Sequence, residues 1–218
     1  MSLMTSKSSP IHIAALYVIM SLIRECLARG TDGNQRDANG ATAMMLAAAM
    51  NRLDIVRFLL QTGTTLETNA VYNKGRSALF YAGQGESVEL FRSLLEHPAV
   101  DVNSGMALSI GERYAAMLAG TPRLLLAHPE FSLHEHPREL VIEFMEMLAY
   151  NGLDEELEML ASHPGFQIKG ADDEDLLERI YNCIFTSKYV LGWFPRGISG
   201  FPSIVLLLEK TVAHVDSL

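Results

Sequence analysis

Several resources are scarce in this 218-residue chain, and each shortage excludes something. Only two cysteines are present, Cys26 and Cys183, far apart in the chain and both inside apolar stretches. Two thiols so placed make neither a disulfide framework nor a zinc cluster, and read as buried reduced side chains. Basic residues are outnumbered, 17 Lys and Arg against 26 Asp and Glu, for a net charge of −9. A chain this acidic would have to build a phosphate-binding patch against its own field, which argues against nucleic acid as a partner. Long apolar runs are missing as well: the longest, Ile11 to Ile23, is interrupted by His12 and Ser21. It falls short of the ~20 residues of a membrane span. The N-terminus, MSLMTSKSSP, is polar and lacks the three-part pattern of a secretory leader, so the expected setting is cytoplasmic. Nucleophile-elbow, P-loop and dinucleotide-binding motifs are absent too, since Gly83-Gln84-Gly85 is only a fragment of the last.

What the chain does have is a period. Ser9-Pro-Ile-His-Ile-Ala-Ala15 returns as Thr42-Ala-Met-Met-Leu-Ala-Ala48, and again as Ser77-Ala-Leu-Phe-Tyr-Ala-Gly83. Each is followed by an aliphatic pair or near-pair, at Cys26-Leu27, Leu59-Leu60 and Leu94-Leu95, and Gly30 and Gly63 close the first two. The parts are physically coherent. Ser or Thr caps a helix start, and proline suits its first turn. Paired alanines permit close helix approach, and Ile55-Val56…Leu59-Leu60 is the apolar stripe of a second helix. Asn39-Gly40 and Lys74-Gly75 supply tight turns between repeats.

Past Asn103 the period is weaker but still legible. Leu95-Glu-His97-Pro98, Leu126-Ala-His128-Pro129 and Leu160-Ala-Ser-His163-Pro164 mark three helix ends, because proline just beyond a helix stops it. Helical stripes lie between them in 139–148 and 153–160. The expected organisation is one solenoid domain over 1–218. It comprises three clear repeats over about 6–103, two divergent helical ones over about 104–170, and a helical cap over about 171–218.

The residues of 37–63, with SPIHIAA before them and Asp101-Val102-Asn103 after, resemble the ankyrin repeat, whose T-P-L-H-x-A signature opens its first helix. The resemblance implies an all-α solenoid of helix-turn-helix repeats with short finger turns and a divergent C-terminal cap. It also implies a non-catalytic module that binds another protein through its concave surface. One departure lies at Val18-Ile19, where the family usually has Gly-His, so that the turn is remodelled or the helices lengthened there.

On that register the partner-binding candidates are Arg36, Asn39, Tyr72, Asn73, Lys74 and Arg76 at the fingers, with Met50 and Gln84 at the ends of inner helices. Tyr and Arg are typical interface anchors, and a local basic strip in an acidic chain suits an acidic protein surface. A second candidate patch is Trp193, Phe194 and Phe201, in a Gly- and Pro-rich loop that either seals the last repeat or docks a partner. Apolar Leu16, Tyr17, Ile19 and Met20 in the first repeat point to an irregular cap or to a contact with another chain.

No cofactor, metal or catalytic group is expected. His97, His128 and His163 sit one repeat apart, roughly 10 Å, too far to share an ion bound at ~2.0–2.1 Å. His134-Glu135-His136 lacks a third ligand at recognisable spacing. The acidic groups Asp154-Glu155-Glu156 and Asp172–Asp175 read as solvated helix starts. Two other readings stand beside the binding module. One is a homo-oligomeric structural protein, and the other an enzyme whose chemistry hides after Ser104. Delivery into a host cell is compatible with this sequence.

Overall fold

The structure is a computed structural model, and it describes residues 8–62, 66–72, 75–85, 87–104, 120–151 and 153–166. Asn73, Lys74, Gly63, Cys183, the Asp172–Asp175 cluster, the Trp193 loop and the whole expected cap lie outside them. All regular elements among the described residues are helical. The first six are α1 (Pro10–Tyr17), α2 (Met20–Ala28), α3 (Ala43–Ala49), α4 (Leu53–Gln61), α5 (Ala78–Gly83) and α6 (Val88–Leu95). They are followed by α7 (Gly120–Leu126), a 3-10 turn at Leu133–Glu135, α8 (Arg138–Tyr150) and α9 (Asp154–Ser162). The chain divides into two compact units, 1–110 and 111–218.

In the first unit, sequence-encoded caps start the inner helices. The Thr42 hydroxyl accepts the Met45 N–H at 3.4 Å, and the Ser77 hydroxyl accepts the Phe80 N–H at 3.2 Å. At Ser9 the cap is reciprocal: His12 Nδ1 accepts the Ser9 N–H at 3.2 Å, as a glutamate does in a capping box. With Nδ1 so engaged, Nε2 of this fully buried ring donates to the Gln35 carbonyl at 2.9 Å, tying α1 to the chain ahead of the next repeat.

Packing repeats with the sequence. Inner helices α1, α3 and α5 stack on one another through buried Ala14, Ala15, Ala47, Ala48, Ala82 and Gly83. Outer helices pack on their inner partners, and α4 stacks on α6. The core is aliphatic and aromatic, with Ile11, Ile23, Met45, Ile55, Leu59, Leu79, Leu90, Phe91 and Leu94 almost wholly out of water. Cys26 lies buried among these side chains as a free thiol.

The fingers are built alike. Asp37 N–H donates to the Ala41 carbonyl at 2.9 Å around Gly40, and Tyr72 N–H to the Arg76 carbonyl at 2.9 Å around Gly75. Both glycines have positive φ, +87° and +74°, which a side chain would resist. Asparagine amides then bridge successive loops. Asn34 Oδ1 accepts the Glu67 N–H at 2.8 Å, and Asn69 Oδ1 accepts the Asp101 N–H at 2.7 Å.

In the second unit α9 packs on both α7 and α8 around buried Leu125, Phe144, Leu148, Leu157 and Leu160. The outer-helix register is that of the first unit: Arg57 of α4 meets Glu89 of α6 at 2.8 Å, and Arg123 of α7 meets Glu155 of α9 at 2.7 Å. The two pairs have the same separation in sequence. Glu156 departs from the expectation for its acidic cluster. It is buried, because the helical period sets it beside Leu157, Leu160 and Ala161 on the inward face of α9.

The Val18-Ile19 turn is kept rather than remodelled, and α1 is not lengthened. Val18 takes the left-handed conformation (φ 62°, ψ 37°) that Asn51 takes (φ 55°) at the equivalent point of the next repeat. Asparagine tolerates that region; a β-branched residue is strained in it. Val18 is 44% exposed, so little packing depends on its side chain. Val18→Gly is expected to raise stability by about 1 kcal/mol, relief of strain exceeding the added entropy of the unfolded chain. Denaturant midpoints of the two proteins measure this, and an unchanged or lower midpoint contradicts it.

Candidate functional site

The described candidates fall into two groups at opposite ends of the inner helices. Arg36, Asn39, Tyr72 and Arg76 stand at the fingers, ahead of the helix starts. Met50 and Gln84 close the far ends of α3 and α5. The length of α3 separates the groups by roughly 10 Å. The structure therefore does not gather all the candidates in one place.

At the fingers, Arg36 is committed to structure as well as exposed. Its guanidinium donates from Nη1 to the Val71 carbonyl at 2.7 Å and to the Gly40 carbonyl at 3.3 Å, and from Nη2 to Glu67 at 3.3 Å. It braces its own finger and the next. Asn39 is half-buried, and its N–H donates to Asp37 Oδ1 at 2.8 Å; the Ala41 N–H donates to the same oxygen at 2.9 Å. This preorganises the finger that carries Asn39.

The denser cluster lies at the next repeat. The Arg76 guanidinium sits over the Phe80 ring, 4.9 Å from its centroid, and hydrogen-bonds Tyr81. Tyr72, Arg76 and Tyr81 are all half-buried, and Asp37 acts on Tyr81 electrostatically from the neighbouring finger. Burial pushes the Tyr81 phenol above its usual pKa. Arg76 opposes that rise, while Tyr72 and Asp37 add to it. Sequence reading missed Asp37 and Tyr81. Asp37 looks like turn chemistry alone, and Tyr81 sits in an inner-helix stretch that reads as core. Their common signal is position: Asp37 follows Arg36 directly, and Tyr81 stands little more than one helical turn past Arg76.

The repeat-end histidines all do one local job. Nδ1 of His97, His128 and His163 accepts the N–H of the residue two positions on, at 3.3, 3.3 and 3.2 Å. Each seals the turn after a helix. Among the described residues, no group of three His, Cys, Asp or Glu side chains is placed to hold a metal ion. None of the helices among them is long and apolar enough to cross a membrane.

Comparison with known proteins agrees with this geometry. A family model for ankyrin repeats, in three copies, matches residues 6–106. Those residues belong to the ankyrin-repeat family. A curated relative, the probable E3 ubiquitin-protein ligase XBOS33 of Oryza sativa subsp. japonica, is 30% identical over 105 residues. That match covers 47% of this chain and 20% of the relative, so the chain spans about a fifth of the relative's length. Among solved structures, the human ASB11 ankyrin repeat domain is similar with a TM-score of 0.57 and 18% identity, covering 92% of this chain and 91% of that one. A chain from the predatory endopeptidase Bd0816 of Bdellovibrio bacteriovorus in complex with immunity protein Bd3460 also has a TM-score of 0.57 and 18% identity. It covers 85% of this chain and 100% of that one. At these identities the structural likeness concerns the fold, an all-α ankyrin-type repeat solenoid.

The Arg76–Tyr81 contact has a spectroscopic consequence. Tyr81 is expected to ionise above the ordinary tyrosine value of about 10, and Arg76→Gln to move that ionisation higher still, since the cation favours phenolate. Phenolate absorbance, differenced against Tyr81→Phe, reports both shifts. A downward move in the Arg76 variant contradicts the arrangement.

Proposed function

We propose that this protein is a non-catalytic binding module whose finger and inner-helix surface in the first unit engages another protein, one presenting an acidic surface. The observation that carries the reading is the preformed cluster of Tyr72, Arg76 and Tyr81, half-exposed and already held by the Tyr72–Arg76 finger hydrogen bond, the Arg76 contact with the Phe80 ring and the Arg76–Tyr81 hydrogen bond. Anchors ordered before binding lose little entropy on complex formation, so a few of them suffice for affinity. Lys74, between Tyr72 and Arg76 in sequence, adds charge of the same sign. The family's general role as an interaction module supports this. So does the Bdellovibrio complex, in which a chain of this fold belongs to a two-protein assembly. Asn39, Met50 and Gln84 form the periphery in this reading, and Arg36 positions the fingers.

The test is affinity capture from a lysate with wild type, with Lys74→Glu/Arg76→Gln, and with Arg57→Glu on the outer helices as a control. A protein retained by wild type and the control but lost from the finger variant is the expected outcome. Equal capture by all three would move the site elsewhere. Circular dichroism melting of each variant separates lost binding from lost fold.

A second reading, self-association through the first repeat, is favoured by one observation: the consecutive Tyr17, Val18 and Ile19 are 60%, 44% and 39% exposed. Sedimentation over a hundredfold concentration range decides it, because a mass that stays at one chain removes this reading.

A further inference from the structure

One of the three turn-sealing histidines, His163, also packs against an aromatic ring. After α7 the chain runs through buried Phe131 to the 3-10 turn, and the Phe131 ring contacts two imidazoles. His136 is tilted against it, with centroids 5.6 Å apart and planes at 33°. His163, just past the end of α9, meets it edge-on at 5.6 Å and 73°. His163 Nδ1 accepts the Gly165 N–H, and the ring hydrogen-bonds the Phe131 carbonyl. Since Nδ1 accepts, the proton given to that carbonyl is on Nε2. One nitrogen accepting and one donating is the pattern of neutral imidazole; the protonated ring has two donors and no acceptor. A proton on Nδ1 would confront the Gly165 N–H with a second donor.

Two neighbours sharpen the requirement. A side chain at Gly165 would lie 3.2 Å from Leu133 Cβ and 3.3 Å from His134 Cδ2, so the turn after α9 closes tightly on the turn that carries His134. His136, only 8% exposed, is the second imidazole packed against Phe131. Charging the His163 ring adds positive charge to a closely packed seam beside the rings of His134 and His136.

We propose that Phe131 and His163 form a proton-sensitive latch, holding the turn after α7 against the end of α9 while the His163 imidazole is neutral and releasing it on acidification. The charged groups around His163 divide by element. Besides Glu155, which occupies Arg123 of α7, α9 carries the buried Glu156 and the exposed Glu158, and the tail after α7 carries His128 and Glu130. The 3-10 turn carries His134 and Glu135, and α8 opens with Arg138 and Glu139. Of these, it is His134 that acts on His163. Burial holds the His163 imidazolium below its usual pKa; the Phe131 carbonyl opposes this and His134 reinforces it. Below about pH 6.5 the unfolded state therefore binds protons that the closed latch refuses. The latch is fully effective above about 6.5 and is lost as pH falls through the lowered folded value.

Hydrogen exchange of the full chain, corrected for the intrinsic pH dependence of exchange, tests this from about pH 7.5 to about 5.5. Wild type is compared with His163→Asn, which keeps an acceptor for the Gly165 N–H but cannot titrate. Opening of the segments 129–137 and 160–166 in wild type is expected to rise by up to about tenfold per pH unit below about 6.5. The rise should be flattened in His163→Asn and intact in His97→Asn, the equivalent position in the first unit. Equal slopes in wild type and His163→Asn, or no slope in wild type, overturn the latch. Should His163→Asn fail to fold, an NMR titration of the wild-type rings decides. A His163 ring titrating below about 6.5 upholds the latch, and one titrating at or above it overturns it.

Discussion

Every described helix in the first unit is short, the longest being α2 and α4, and isolated helices under ~12–15 residues are marginal in water. Each therefore exists only because its neighbours cover it. That constraint explains where the sequence concentrates its most stringent residues. Alanine pairs at the inner-helix contact let backbones approach; a larger side chain at Ala14 or Ala47 would hold the stack apart. Hydroxyl caps, finger glycines and the Asn34 and Asn69 bridges do what helix length does elsewhere, fixing the ends of elements too short to fix themselves. The exposed Arg57–Glu89 and Arg123–Glu155 pairs contribute at most about 1 kcal/mol each; their value here is as markers of a common register.

The parts of the fold legible in sequence were those fixed by local chemistry. Thr42 and Ser77 announce helix starts because a hydroxyl accepts a backbone N–H three positions on, whatever surrounds it. Gly40 and Gly75 announce finger turns because their backbone angles are unfavourable for side chains. The proline after each of His97, His128 and His163 announces a helix end, though the histidine's own task, accepting an N–H, appears only in the folded chain. Long-range roles were not legible. His12 reads as one letter of a signature, yet it joins two repeats; Arg36 reads as a free positive charge, yet it holds the neighbouring finger. Glu156 looks solvated within an acidic triplet until the phase of α9 is known.

The candidate surface follows the same division. Tyr72 and Arg76 could be named from repeat register, since fingers project at predictable positions. Asp37 and Tyr81 could not, because their part in the cluster depends on how one repeat is set against the next. The two groups lie at opposite ends of the inner helices, a separation that a list of register positions does not convey. The resulting surface is cross-braced around Arg36 and Asp37, where backbone and side-chain hydrogen bonds overlap, and simple at the far helix ends, where Met50 and Gln84 close single turns.

The asparagine bridges bear on how the first unit responds to force. Asn34 ties its loop to Glu67, and Asn69 ties the following one to Asp101, so adjacent repeats are joined by separate fastenings in series. Tension along the stack loads each fastening in turn, because no single strand or helix spans several repeats to share it. Such an array yields by peeling, one repeat at a time and at low force.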